Sequence, residues 1–249
     1  MIQLESMNGN YTNNKLWVFG DSYTAEYYIP KFNNTLQKNS YEKYRDWRGG
    51  TLPKIWPILL GEKLNLEVRN IAKGGSSNYC IFDQFIKVLD EINTNDILIF
   101  GWANILRYRA ADTNGNYLYN IIPNGTTPFS KNTTDEILYN RSNSAWVGEV
   151  LNWIKLIDSY SGLKNIKSYH WASDGTILKG LKKDNLITVP IPFEDLCGYV
   201  NSDINYKDGI SKSTIHQETN GEVKDGHHGE FGHKLMCDFI YNKFNKKII

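Results

Sequence analysis

The stretch Leu16-Trp17-Val18-Phe19-Gly20-Asp21-Ser22-Tyr23-Thr24 constrains the fold of this chain more than any other. Four apolar residues in a row, bounded by Gly20 and Asp21, read as a short strand buried on both faces, and the chain then turns sharply at a glycine. Strands of that kind belong to sheets covered by helices on both sides. The rest of the sequence repeats the theme. Residues 66–70 alternate as a second strand, 96–100 form an unbroken apolar run suited to a central strand, 166–171 read as a fourth, and 186–189 as a short fifth ahead of Pro190 and Pro192. Between them lie helical segments. One opens at Thr51 as N-cap with Pro53 in its first turn and runs to about residue 64, with Pro57 inside it implying a kink or a late start. Another spans about 79–92. A third starts at Ser144 with Trp146, Val147, Val150, Leu151, Ile154 and Ile157 on one stripe, and a last amphipathic one reaches Phe244. Strands alternating with helices define an α/β protein.

Ser22 falls at the carboxyl end of the first strand, the rim where ligands bind in open α/β sheets. A serine there can attack a bound group, although strand-Gly-Asp-Ser is also an ordinary way to leave a sheet and cap a helix. A hydroxyl is a poor nucleophile until a base takes its proton, and the base works better when a carboxylate fixes its tautomer. Asp225-Gly226-His227-His228-Gly229-Glu230-Phe231-Gly232-His233 supplies both partners near the C-terminus.

With those residues in place, the chain resembles the SGNH/GDSL-type hydrolases. The first block of that family is the Gly-Asp-Ser turn, here Gly20-Asp21-Ser22, and its last is an Asp and a His before the final helix, here within 225–228. Asn70-Ile71-Ala72-Lys73-Gly74-Gly75-Ser76 is similar to the second block. Gly101-Trp102-Ala103-Asn104 stands where the third block usually reads Gly-x-Asn-Asp, so the asparagine comes one residue late and no Asp follows it. The resemblance implies a three-layer α/β/α sandwich around a flavodoxin-like, mostly parallel sheet of five strands. It further implies a triad of Ser22, Asp225 and His227, with His228 as the rival base, and an oxyanion hole built from Ser22, Gly75 and Asn104. The family's commonest Asp-to-His spacing of three selects His228. The glycine that follows the histidine by five, here Gly232, selects His227. The implied activity is that of a serine esterase acting on a small acyl ester such as a carbohydrate O-acetyl group. A glycan O-acyltransferase, or a glycan-binding module without activity, would share these features.

At 249 residues the chain fits one domain spanning 1–249, with a loop insertion at about 112–143 where the composition shifts to Asn, Thr, Gly, Pro and Tyr. Loops of that length are usually lids or binding loops, which makes the insertion the candidate for setting specificity. A formal charge of +1 gives no electrostatic case for nucleic acid or an anionic membrane surface. No stretch approaches the roughly 20 apolar residues of a membrane span, and no signal-peptide pattern opens the chain, so a cytoplasmic protein is expected. Cys80, Cys197 and Cys237 are too scattered for a disulfide framework and read as buried thiols. No cofactor is implied.

The 7 Trp, 16 Tyr and 10 Phe serve the core, yet several fall beside the proposed site, among them Tyr23, Tyr79 and Trp102. Aromatic rings stack on the C–H faces of sugars, so Tyr23 and Trp102, with Asp21 and Arg107, are candidate substrate contacts. Arg107 could equally pair with a carboxylate on a solvated face. His170, between Tyr169 and Trp171, reads as a packed and hydrogen-bonded residue. The crowding of Asp225, His227, His228 and His233 raises a metal site, but the five-residue step from His228 to His233 does not set both on one helical face. His233 is expected to pack or cap within the last helix.

Overall fold

The computed structural model describes residues 14–26, 54–103, 108–111, 117–121, 143–172, 177 and 230–245. Among these residues the main sheet has four strands, β1 (Lys15–Phe19), β2 (Glu67–Asn70), β3 (Ile97–Trp102) and β6 (Lys167–Ala172), in the spatial order β2-β1-β3-β6. All three pairings are parallel, with Leu16 opposite Val68 on one side and opposite Ile97 on the other. The expected fifth strand, 186–189, lies outside the described residues.

Successive residues on a strand face opposite ways, and this periodicity divides the core in two. Trp17, Phe19, Leu98, Phe100 and Trp102 pack with Ile81 and Phe85 of α2 (Asn78–Lys87) and with Trp146, Val150, Ile154 and Ile157 of α3 (Asn143–Lys164). Leu16, Val18, Ile99, Tyr169 and Trp171 pack on the other face with Trp56 and Leu60 of α1 (Trp56–Leu64) and with Met236, Cys237 and Ile240 of α4 (Glu230–Asn245). The result is helix, sheet, helix. Phe19 stacks on Phe100 with centroids 4.7 Å apart, and Phe85 meets both rings edge-on.

Three elements refine the sequence-based expectation. Helix α1 takes the late start that Pro57 implied and begins at Trp56, because Pro57 has no N–H and clashes within a helix unless it sits in the first turn, where it is found. The second helix ends at Lys87, and a 3₁₀ turn (Leu89–Glu91) carries the chain on. Within the expected loop insertion, β5 (Tyr117–Ile121) pairs antiparallel with β4 (Tyr108–Ala111). The Asn114-Gly115 pair between them, a strong hairpin signal in sequence, is the clue that the composition of the segment masked.

Asparagine does the work of glycine at two helix ends. Asn65 (φ 53°) and Asn165 (φ 54°) adopt the left-handed conformation after α1 and α3, with Leu66 N–H bonded to the Gly61 carbonyl at 3.0 Å and Ile166 N–H to that of Ser161 at 2.8 Å. These are Schellman caps, and each releases the chain into a strand two residues later. Among the described residues no helix is long and apolar enough to cross a membrane.

Candidate active site

The strand order fixes where a site can form. From β1 the chain moves to β2 on one side and then to β3 on the other, so the crossovers diverge between β1 and β3. A crevice opens at the carboxyl ends of the strands at such a switch point. Gly20, Asp21 and Ser22 follow β1 directly into it.

The turn at Ser22 is held from four directions. Thr24 and Ala25 N–H groups bond the Asp21 carbonyl at 3.0 and 2.9 Å, while Asp21 Oδ1 accepts the Tyr23 N–H at 3.1 Å, closing an Asx turn. Asn70, at the end of β2, donates its amide to the Thr24 carbonyl at 2.9 Å. From α1, the Trp56 indole N–H donates to the Tyr23 carbonyl at 3.0 Å. From α2, the Gln84 carboxamide accepts the Gly20 N–H at 3.1 Å and donates to the Gly20 carbonyl at 3.2 Å. Gly20 has to be glycine, since a Cβ there would stand 2.6 Å from Thr24 Oγ1 and 3.3 Å from the Gly101 carbonyl. Asp21 is buried and Ser22 half-buried.

The loop after β2 meets this turn. Ile71 N–H bonds the Val18 carbonyl at 2.8 Å and Lys73 N–H the Gly20 carbonyl at 3.1 Å, extending the β1 pairing past the strand ends. A turn then closes from Ser76 N–H to the Lys73 carbonyl at 3.2 Å, with Gly75 at φ 75°, a conformation glycine adopts without strain. Gly74 comes so close to Ser22 that a Cβ on it would lie 3.9 Å from the Ser22 Cβ. Helix α2 begins immediately beyond, capped by Ser77, and its amino-terminal dipole faces the same rim. Ser22 and the Gly74-Gly75 loop thus share one edge of the sheet.

Other candidates fall elsewhere. Trp102, expected to touch substrate, is 1% exposed: it stacks on Phe100, and its indole N–H donates to His170 Nδ1 at 3.2 Å. That bond leaves the His170 hydrogen on Nε2, which faces Asp158 Oδ1 at 3.1 Å, and Ser168 donates to the same oxygen at 2.7 Å. Trp102 and His170 are therefore core residues, because β3 continues through Trp102 and alternation turns its ring under the sheet. Tyr23 is half-buried beside Ser22, and Tyr79 is 42% exposed with its ring edge-on to Trp153. Asn104, Arg107, Asp225, His227 and His228 lie outside the described residues.

His233 is buried, packed as the sequence suggests. Its Nδ1 accepts the N–H of Trp56, the first residue of α1, at 3.3 Å. One N–H that α1 leaves without an intrahelical partner is thereby satisfied from α4. The same Trp56 touches Tyr23, so a continuous path of contacts joins the start of α4 to the residue after Ser22. Of the crowded 225–233 segment, His233 is thus engaged in joining two helices, and no group of three or more His, Cys, Asp or Glu among the described residues could hold a metal ion.

The sequence reading passed over Gln84 and Asn78. Asn78 accepts the Ala103 N–H at 2.7 Å and donates to the Ala103 carbonyl at 3.0 Å, as Gln84 does at Gly20. Both carboxamides lie with Ile81 and Phe85 on the buried stripe of α2. Polar residues in helical register with a core stripe were the available signal.

No family model and no curated protein matches the chain. Solved structures similar to it include two from bacteria. Protein YxiM from Bacillus subtilis is 14% identical with a TM-score of 0.49, over 96% of this chain; the chain spans 58% of that protein's length. A protein from Desulfitobacterium hafniense described as lipolytic and of the G-D-S-L family is 17% identical with a TM-score of 0.30, over 93% of this chain and 99% of that one.

Proposed function

We propose that the chain is a serine esterase of the SGNH/GDSL type. The observation that carries this reading is the meeting of Ser22 with the Gly74-Gly75 loop at the switch point, where Gly75 takes φ 75° directly ahead of a helix amino terminus. A nucleophile needs donors aimed at the oxygen that becomes negative, and backbone N–H groups at such a turn are suited to that task.

In the proposed reaction His227 takes the Ser22 proton as Oγ attacks the ester carbonyl, and Asp225 holds the imidazole and balances its charge. His228 is the rival for the base. The N–H groups of Ser22 and Gly75 and the Asn104 amide hold the tetrahedral oxyanion. Its collapse expels the alcohol, protonated by the imidazolium, and leaves Ser22 acylated. Water, deprotonated by the same histidine, then releases the acid and restores the hydroxyl. The anchoring of His233 supports the assignment of the base. Only two residues of chain, a reach of about 10 Å at full extension, lie between His227 and Glu230 at the start of α4.

The proposed substrate is a small acyl ester, such as an acetyl group on a sugar. The half-buried Tyr23 and the exposed Tyr79 are the aromatic faces that could meet it, with Asp21 shaping the turn beneath and Arg107 a candidate for a polar group. The test is a series of p-nitrophenyl esters from acetate upward. Turnover is expected to be highest on acetate and to fall at least about 1,000-fold in Ser22→Ala. Equal turnover by Ser22→Ala would refute the reading. Adding oligosaccharide separates hydrolysis from transfer, since an acyltransferase would pass the acetyl group to the sugar.

A further inference from the structure

The geometry points to Gln84 as a positioning residue that sets the spacing between the nucleophile and the oxyanion-binding loop. The inference rests on the esterase reading above, and it names a residue that reading does not use.

Gln84 is 6% exposed and makes three hydrogen bonds from one carboxamide. Two bracket Gly20, two residues before Ser22, in the pattern by which a neighbouring strand would engage that backbone. The third runs from Nε2 to Ser76 Oγ at 3.0 Å, in the residue after Gly75. The same carboxamide therefore holds the Gly20 backbone and the Ser76 hydroxyl, and so links the two segments whose separation decides whether Ser22 Oγ and the Gly75 N–H converge on one carbonyl. No apolar side chain could do this. A side chain satisfying Gly20 alone would keep the turn folded but would leave the glycine loop unreferenced to it.

Its place in α2 makes the grip stiff. Ile81 and Phe85 on the same stripe are buried against the sheet, so Gln84 starts from a fixed backbone. Lys73 N–H shares the Gly20 carbonyl, so the loop is tied to Gly20 directly at Lys73 and through Gln84 at Ser76. Asn78, at the start of the same helix, brackets Ala103, the residue before Asn104, in the same way. One helix thus references the exits of both β1 and β3.

The role predicts a change in kcat with little change in KM, because misplacement of reacting groups costs the transition state and spares the bound ester. The experiment uses the full chain and p-nitrophenyl acetate, with a fluorophosphonate probe reporting Ser22 reactivity and thermal melts reporting folding. In Gln84→Met, all three hydrogen bonds go while the volume is kept, and kcat and the labelling rate should fall on the order of 100-fold with KM within about threefold. Gln84→Glu keeps the acceptor for Gly20 N–H and loses both donations. Ser76→Ala removes one bond only. The losses of kcat should rank Gln84→Met, Gln84→Glu, Ser76→Ala from largest to smallest, and the two milder variants decide the matter if the first does not fold. Trp17→Phe, which loses a buried hydrogen bond at the far end of the sheet, is the control and should lose stability but no kcat. A Gln84 series at wild-type kcat, or a kcat loss that Trp17→Phe shares, overturns the inference while leaving the esterase reading intact. A wild type that neither turns over ester nor labels at Ser22 overturns the esterase reading and the positioning role with it.

Discussion

The two ends of the parallel sheet use buried polar groups for opposite purposes. At the amino-terminal end Asp96 is fully buried and turns both carboxylate oxygens inward, accepting Lys15 N–H at 2.7 Å, the Trp17 indole at 2.8 Å and Asn93 N–H at 2.9 Å. Every contact ties strand to strand or closes the turn into β3. At the carboxyl-terminal end the buried carboxamides of Gln84 and Asn78 spend their hydrogen bonds on backbone just past the strands, and what they hold up is a half-buried serine beside exposed glycines. A fold needs the first arrangement to exist. It needs the second only if the geometry of the exposed turn matters.

That contrast can be broken by substitution, starting where the effect should be largest. Gly20→Ala forces Thr24 or the Gly101 backbone to move, so the turn carrying Ser22 shifts; ester turnover should drop on the order of 100-fold, with a lowered melting temperature. A variant with wild-type kcat would show that the turn tolerates displacement. Asp96→Ala should do the reverse. It strands three donors, one of them a buried indole, and should cost roughly 3 kcal/mol in denaturant unfolding while the folded protein keeps its kcat. If Asp96→Ala lowers kcat as strongly as it lowers stability, the two ends are not separable. Trp17→Phe is the gentle form of the same test, at about 1 kcal/mol with unchanged kcat.

The smallest effect lies on a face of the sheet and at neither end. Burial between α1 and α4 pushes the Cys237 thiol up from 9.0 to about 11. Because the folded state holds this proton more tightly, the stability it contributes is complete below pH 9 and is lost as the pH rises towards 11. Iodoacetamide at pH 8 should therefore leave Cys237 unmodified in the folded protein and modify it in denaturant. Rapid alkylation of the native protein would place the thiol at the surface.

Much of this architecture was legible in the residues. The apolar runs ending at Phe19 and Phe100, the Gly20-Asp21-Ser22 turn and the α3 stripe each state their local structure, because burial on two faces or one leaves a distinct pattern. His170 followed the same logic, since a histidine between Tyr169 and Trp171 in a strand needs partners, and Trp102 and Asp158 supply them. Trp102 misled because sequence position puts it near the rim while strand alternation points its ring into the core. Gln84 escaped notice for another reason. Its meaning lies in two backbone segments 64 and 8 residues away, which only the folded sheet brings beside it. His233 was expected to pack or cap within the last helix; it is buried, but its bond to Trp56, 177 residues distant, has no local signature.

The central claim is that Ser22 is activated at the carboxyl-terminal rim by a histidine just ahead of α4. Treating the protein with a fluorophosphonate and mapping the adduct by mass spectrometry, in the wild type and in His227→Gln and His228→Gln, tests it directly. The account predicts an adduct on Ser22 in the wild type and in His228→Gln, and its loss in His227→Gln. An unmodified wild-type Ser22, or an adduct that neither histidine variant diminishes, would contradict it.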